Sequence, residues 1–182
     1  RAKELDYRPI KLNAVVIRHL NDHEIGDLAR FAAEQEVIMR FIEFMPLDSS
    51  RGWQRDHVVT GAEILERLGQ SLDLRPIAGD NPAETAKRWS IAGSDSEIGI
   101  IAPVTQPFCG NCNRIRLTAD GQIRTCLFSL HEHDIKGLLR NAEDPEAITS
   151  RLREIVHQKE ERHHIGESGF QQPDRTMSYI GG

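Results

Sequence analysis

All three cysteines of this 182-residue chain lie in one short segment, "CGNCNRIRLTADGQIRTC". Cys109 and Cys112 are close together, and Cys126 follows a strong hairpin-turn signal, Asp120-Gly121. A Cys-x-x-Cys pair can place two thiolates on one metal or cluster, and a thiolate from the far side of a hairpin can close the site. The segment therefore predicts a metal or iron–sulfur site on a β-hairpin.

The spacing alone leaves two kinds of site open. Structural zinc takes four ligands, so a zinc site would need a histidine, and His131 and His133 both lie nearby in the sequence. Such a closed Cys₃His site would make the chain a non-catalytic module for protein or RNA contacts. An iron–sulfur cluster held by three cysteines instead leaves one iron open to a ligand. An odd number of clustered cysteines favours either metal over disulfides in a reducing compartment.

Two arginines follow the cysteine pair. Arg114 and Arg116 alternate on a predicted strand and would point to the same face. Guanidinium groups there can bind a phosphate-bearing ligand through paired hydrogen bonds. The alternative is a solvent-facing strand that carries charge for solubility. A polyphosphate held beside an iron with an open coordination position would make one coherent site of both features.

The composition argues against two classes of partner. The apolar fraction is 38% and the formal net charge is −5, so neither nucleic acid nor a membrane surface is an expected partner. No long apolar run and no signal-peptide pattern occur, which predicts a cytoplasmic location. The chain starts without methionine, and a strand follows almost at once. We therefore expect it to be a portion of a longer protein.

Hydrophobic periodicity predicts a βαβ unit near the start of the chain. Residues 10–17, "IKLNAVVI", and 37–45, "VIMRFIEFM", have the character of strands. The helix between them is predicted to begin at Asn21, with Glu24 as its capping-box partner. A βαβ unit implies a parallel sheet with a right-handed crossover.

A different pattern begins after residue 47. Thr60 and Glu63 predict a capping box for a short helix. Asp144 is predicted to cap a later helix whose first residue is Pro145. The other predicted elements are strands at 72–77, 86–92 and 97–104, the cysteine hairpin, and helices at 133–141 and 144–160. The strands are predicted to be antiparallel and to lie beside the parallel sheet.

Four motifs together resemble one family. "CGNCNRIRLTADGQIRTCLF", "KLN", "RFIEFMP" and the ending "MSYIGG" are similar to the C-terminal portion of the GTP 3′,8-cyclases, the molybdenum cofactor biosynthesis protein A family of radical S-adenosylmethionine enzymes. The resemblance covers nearly the whole chain. It implies an α/β fold in which residues 1–47 supply the last strands and helix of an incomplete TIM-like (β/α) barrel. Residues 48–182 would be an added antiparallel, iron–sulfur-binding C-terminal region.

The resemblance also implies roles for individual residues. A [4Fe–4S] cluster with one iron open to GTP would be held by Cys109, Cys112 and Cys126. Contacts to GTP would come from Lys11, Arg114, Ile115 and Arg116, with Arg40 as a further ligand. S-adenosylmethionine would lie against Met45. The tail with Gly181 and Gly182 would reach the active site, because residues without side chains can enter a narrow space.

The complete protein implied by this resemblance is a lyase. It would cyclise GTP to (8S)-3′,8-cyclo-7,8-dihydroguanosine 5′-triphosphate, the first step of molybdenum cofactor biosynthesis. Family members bind S-adenosylmethionine at a second [4Fe–4S] cluster through Cys-x-x-x-Cys-x-x-Cys, a motif that this chain lacks. The fragment alone is therefore expected to be inactive and to contribute substrate placement. Implied partners are GTP, S-adenosylmethionine, an electron donor and the cyclic pyranopterin monophosphate synthase of the pathway. Monomer and homodimer both remain open.

Overall fold

The computed structural model describes residues 1–47, 51–79, 81–141 and 144–180. Contacts between Cα atoms divide the chain into two compact units. The first unit comprises residues 1–45 and 54–108, and the second comprises residues 46–53 and 109–182. None of the helices in the described ranges has both the length and the apolar character that a membrane crossing needs.

The first unit is built on a five-stranded sheet in the order β1-β2-β5-β4-β3. The strands are β1 (Lys11–Val16), β2 (Ile38–Glu43), β3 (Leu74–Ile77), β4 (Lys87–Ile91) and β5 (Glu97–Ile101). The α-helices are α1 (Ile25–Glu34) and α2 (Gly61–Gly69), and short 3₁₀ helices span Asp22–Glu24 and Arg55–His57.

The sheet mixes parallel and antiparallel pairs. β1 and β2 are parallel and are connected through α1, which confirms the predicted βαβ unit. The predicted antiparallel arrangement is confirmed for β3, β4 and β5, since β4 pairs in antiparallel with both β3 and β5. β5 also pairs with β2 in parallel, which the sequence did not predict. Most of β5 is buried, as is typical of a strand inside a parallel sheet. The sheet thus continues past residue 47, where the family resemblance implies a boundary between two regions.

One face of the sheet packs against α1 and α2. Met39 and Phe41 alternate along β2 and are buried there with Ile64 and Leu68, which are one helical turn apart on α2. Complete burial of each such side chain contributes about 1.5–3 kcal/mol. Arg40, between Met39 and Phe41, points to the opposite face.

The two predicted helix starts of this unit have different outcomes. The capping box of α2 is confirmed, because Thr60 Oγ1 accepts from Glu63 N at 3.1 Å and Glu63 Oε2 accepts from Thr60 N at 2.9 Å. The predicted cap at Asn21 is wrong. The Asn21 side chain accepts from Ile17 N at 2.8 Å instead, so it closes the turn after β1. As a result, α1 begins only at Ile25, after a 3₁₀ turn.

The second unit contains a three-stranded antiparallel sheet in the order β6-β7-β8. The strands are β6 (Arg116–Leu117), β7 (Gln122–Arg124) and β8 (His133–Asp134). The α-helices are α3 (Lys136–Arg140) and α4 (Pro145–His157), and 3₁₀ turns span Cys109–Asn111 and Met177–Tyr179. Ile123, Ile135 and Ile155 form a small buried core.

The local signals of this unit are largely confirmed. The predicted hairpin is present, and Gly121 adopts a φ of +83° in its turn. A Cβ there would lie 2.7 Å from Lys136 Cβ, so only glycine fits. Asp144 caps α4 ahead of Pro145, as predicted. The helix predicted from residue 133 begins later, because residues 133–134 pair with β7 as β8.

Candidate functional site

The cysteine pair lies on a tight turn in the second unit. Cys109 begins a 3₁₀ turn, and Cys112 N donates to Cys109 O at 2.9 Å. Cys126 lies just beyond β7, on the far side of the hairpin. All three are free thiols and are partly exposed. The fold therefore places the thiols as the sequence predicted, on a turn and on the opposite arm of one hairpin.

The surroundings of Cys112 favour its thiolate. Burial acts to raise the pKa of this thiol, but a backbone hydrogen bond from Arg114 and the charges of Arg114 and Lys159 outweigh it and lower the pKa. Arg114 Nη2 also donates to Cys112 Sγ at 3.1 Å. The thiolate is the form of cysteine that binds metals, so the lowered pKa is compatible with the role predicted for Cys112.

Cys126 has a more buried and less cationic environment. Burial raises the pKa of its thiol, and the charges of Glu160 and Cys109 raise it further. Phe128 N and the charge of Lys159 act in the opposite direction. Because the charge of Cys109 contributes to the pKa of Cys126, the thiols on the two arms of the hairpin interact electrostatically.

Arg116 provides a test of whether an anionic group fits this neighbourhood. Its Nε is buried and has no hydrogen-bond partner within the described ranges. Burial and the charge of Arg114 lower the pKa of Arg116, whereas the thiols of Cys126 and Cys112 raise it. A buried donor that has no partner among the described residues and is influenced by two thiols fits a site that takes up a negatively charged cluster or ligand.

The donor set therefore fits an iron–sulfur cluster in its chemistry. Across the residues that the structure describes, however, no group of three or more His, Cys, Asp or Glu side chains is arranged to hold a metal ion. Coordination of a cluster by Cys109, Cys112 and Cys126 thus stays a prediction. The zinc alternative has no structural support either: His131 is exposed, and His133 lies in β8 opposite Ile123.

The residues after the cysteine pair follow the prediction only in part. Arg116 lies in β6, but Arg114 precedes the strand, so the prediction that both arginines alternate on one strand is wrong. The strand starts late because its ladder pairs Arg116 and Leu117 with Arg124 and Ile123. Ile115 between the arginines is 45% exposed, as a residue that contacts a ligand could be.

Lys11 and Arg40 lie together in the first unit. Both line a cavity of about 310 Å³, together with Arg88 and Glu97. The last two residues form a bidentate ion pair, with both N···O distances at 3.0 Å. Arg40 Nε donates to Asn13 Oδ1 at 2.7 Å. Gly99 of β5 is the register partner of Arg40 on the neighbouring strand β2, and a Cβ at Gly99 would lie 3.1 Å from Arg40 Cγ. Glycine at this position therefore leaves room for the arginine stem.

Met45 and Lys11 lie at opposite ends of the parallel pair. Met45 follows the carboxyl end of β2 and is partly buried, whereas Lys11 is the first residue of β1. In (β/α) barrels, ligands bind at the carboxyl ends of the strands, a rule that supports Met45 and not Lys11. The predicted tail residues Gly181 and Gly182 lie outside the described residues.

Glu43 is a buried carboxylate that the sequence analysis missed. Its side chain is fully buried and accepts from Gly61 N at 2.8 Å, Val104 N at 2.8 Å and Thr105 N at 2.9 Å. The Thr105 hydroxyl donates to it as well. One carboxylate thus joins the end of β2 to the start of α2 and to the segment after β5. A signal was present, since a charge within the apolar run "VIMRFIEFM" needs partners.

Arg175 ties the C-terminal tail to the hairpin turn, and no sequence signal pointed to it. Its guanidinium donates to Asp120 Oδ2 at 2.9 Å and contacts Glu132 Oε2 at 2.8 Å. The hydrogen bond from Arg175, with another from Thr118, lowers the pKa of Asp120 to about 2. The tail is therefore anchored within the second unit, a few residues before it ends.

This anchor predicts a pH-dependent tail. Because the folded pKa of Asp120 is about 2, below the ordinary 3.8, the contact is fully present above about pH 4 and is lost as the pH falls through about 2. The amide signals of residues 174–180 should titrate over that range in two-dimensional NMR. Asp120→Asn should abolish this titration, and the exposed Glu161→Gln should not. An unchanged titration in Asp120→Asn would contradict the anchor.

The fold and the thiol-bearing hairpin together define a class: a mixed α/β protein with three free cysteines on a basic hairpin. The Molybdenum Cofactor Synthesis C family matches residues 37–165 of the chain. This match covers most of both units, including all three cysteines. The chain belongs to this family.

Three curated relatives carry the name GTP 3′,8-cyclase. The protein from Rhodopirellula baltica is 41% identical over 184 residues, which cover 100% of this chain and 51% of the relative. That from Streptomyces coelicolor is 41% identical over 182 residues, covering 100% and 53%. That from a Synechococcus species is 41% identical over 175 residues, covering 95% and 49%. The chain spans about half the length of these relatives and corresponds to their C-terminal portion, which confirms the resemblance.

Proposed function

We propose that this chain is the substrate-side portion of a GTP 3′,8-cyclase. The complete enzyme would use S-adenosylmethionine to convert GTP to (8S)-3′,8-cyclo-7,8-dihydroguanosine 5′-triphosphate, the first step of molybdenum cofactor biosynthesis. Family membership and the names of the relatives support this proposal. The structural observation that carries it is the basic hairpin, in which the free thiols of Cys112 and Cys126 act electrostatically on Arg116, whose buried Nε has no partner among the described residues.

The proposed cofactor is a [4Fe–4S] cluster on Cys109, Cys112 and Cys126. When bound, it would supply one iron with an open coordination position for the guanine of GTP. The chain's contribution begins with the thiolates. Arg114 and Lys159 favour the ionised form of Cys112, so less proton release has to accompany ligand binding there.

The second contribution is placement of the substrate. Arg116 has a buried Nε without a partner in the described ranges, and Arg114 lies beside it, so both can donate to phosphate oxygens. Fixing the triphosphate limits the motion of the ribose and base, and this entropic part of catalysis needs no chemistry from the chain itself. Burial of Arg116 strengthens the interaction, since charges attract more strongly where water is excluded.

The remaining predicted contacts are part of the same proposal. Lys11 and Arg40 share a cavity in the first unit and are proposed ligands of GTP. Met45, at the carboxyl end of β2, is the proposed contact to S-adenosylmethionine, and the Gly181-Gly182 tail is proposed to act at the active site. The parallel strands β1, β2 and β5 would be the last strands of a partial TIM-like barrel. The expected setting is the cytoplasm, with an electron donor, a second [4Fe–4S] cluster in the complete protein and the cyclic pyranopterin monophosphate synthase as pathway partner.

The arginine contacts can be tested by titration calorimetry. Replacing both Arg114 and Arg116 with alanine in the cluster-loaded chain should weaken GTP binding by about 100-fold or more, because two charged hydrogen bonds of about 1.5–3 kcal/mol each are lost. Arg153→Ala is the matched control, since this exposed arginine of α4 lies in the same unit. It should leave the affinity unchanged.

The same titration can contradict the proposal. If the double variant binds GTP as tightly as the unmodified chain, the arginines have no role as phosphate ligands. If Arg153→Ala weakens binding to the same extent, the effect reflects net charge and not a site.

A further inference from the structure

Lys159 connects the two cysteine-bearing arms of the hairpin. It lies just beyond α4, and its Nζ donates to Arg114 O at 2.9 Å and to Thr125 O. Arg114 is two residues after Cys112, and Thr125 directly precedes Cys126. A single ammonium group therefore bonds the backbone of both arms, next to a cysteine on each side.

The same ammonium lies beside the thiol-bearing segments. The two carbonyls that accept from it belong to the residue two positions after Cys112 and to the residue directly before Cys126. An ammonium group has three donors, so two backbone carbonyls and one sulfur can be served together. The next residue, Glu160, carries an opposing charge, and its carboxylate accepts from Thr125 Oγ1 at 2.7 Å.

We propose that Lys159 is a positioning residue for the cluster: it fixes the separation of the two arms and places a positive charge beside the sulfur ligands. This inference rests on the proposed function, because the cluster is the one assigned to Cys109, Cys112 and Cys126. Hydrogen bonds to the sulfurs and nearby charge set the reduction potential of an iron–sulfur cluster. A cation stabilises the reduced, more negative state of the cluster, so Lys159 raises its reduction potential. Because the bonds of Lys159 hold the two cysteine-bearing arms together, they also slow the loss of iron.

Two substitutions separate the bonds of Lys159 from its charge. Lys159→Met keeps the side-chain length but removes donors and charge, whereas Lys159→Gln keeps a donor and removes the charge. Lys136→Met is the matched control. Lys136 is exposed at the start of α3, and its replacement changes the net charge by the same amount as a Lys159 substitution. The chains are loaded anaerobically with iron and sulfide. The readouts are iron content, a redox titration followed by electron paramagnetic resonance, and the rate at which a chelator removes iron.

Both Lys159 variants should show a more negative midpoint potential, and Lys159→Met should also release iron several-fold faster. Lys136→Met should match the unmodified chain. Midpoints in Lys159→Met and Lys159→Gln equal to that of the unmodified chain would overturn the inference. If circular dichroism shows that Lys159→Met does not fold, Lys159→Gln decides: a negative shift supports the inference, and no shift overturns it.

The outcomes also separate this inference from the proposed function. If the unmodified chain takes up no iron–sulfur cluster, the proposed function fails, and the inference fails with it. If the unmodified chain takes up the cluster but both Lys159 variants retain its potential and iron release rate, only the role of Lys159 is wrong.

Discussion

Cys126→Ser in the complete cyclase should lose about four irons per chain and lower the rate of GTP cyclisation by about 1,000-fold or more, because the substrate is no longer fixed. Serine provides a harder oxygen ligand and a hydroxyl that does not ionise near neutral pH, so it holds iron much more weakly than a thiolate does. The iron count and chromatographic detection of the cyclised nucleotide measure the two effects.

The control for this substitution lies within the same segment. Gly110 is between the paired cysteines, and a Cβ there would meet no atom within 4 Å. Gly110→Ala should therefore retain the irons and most of the activity. If Cys126→Ser kept the iron content and activity of the unmodified enzyme, Cys126 would not be a cluster ligand.

Glu43→Ala should destabilise the first unit by about 3–5 kcal/mol, since it leaves several buried donors without an acceptor. The affected backbone N–H groups belong to Gly61, Val104 and Thr105. Glu43→Gln should cost less, because the amide keeps one acceptor oxygen while its NH₂ faces other donors. Urea unfolding of the chain, followed by circular dichroism, gives the change in the free energy of unfolding.

Glu34→Ala is the comparison for this experiment. Glu34 is exposed at the last turn of α1, so the free energy of unfolding should stay within about 0.5 kcal/mol. A Glu43→Ala chain as stable as Glu34→Ala would mean that the buried carboxylate does not hold β2, α2 and the segment after β5 together.

Local patterns in the sequence were sufficient for much of the secondary structure. The strands β1 and β2 follow from runs of β-branched and apolar residues, and the α2 start follows from Thr60 and Glu63, which interact within one turn. The partner of β5 was not predictable in the same way. Its parallel pairing with β2 joins residues more than fifty positions apart, and no local signal specifies such a partner. The predicted cap at Asn21 was wrong for a related reason. Its side chain accepts a hydrogen bond from Ile17 N in the preceding turn and not from the start of the helix.

The candidate site shows the same limit. Cysteine spacing and the Asp120-Gly121 turn predicted the hairpin, since both are short-range features. Lys159 and Arg175 reach the hairpin from distant parts of the sequence, and only the tertiary fold brings them there. The family resemblance predicts ligand residues that composition and spacing do not, and it carries no information about Lys159 and Arg175.

Anaerobic loading of the chain with iron and sulfide, with and without GTP, tests the central claim most directly. Absorption spectroscopy and iron analysis should show a broad band near about 400 nm and about four irons per chain, and the spectrum should change when GTP is added. A colourless chain that instead binds about one zinc in tetrahedral coordination would contradict the proposal. Arg114 and Arg116 would then be surface charges beside a structural metal site.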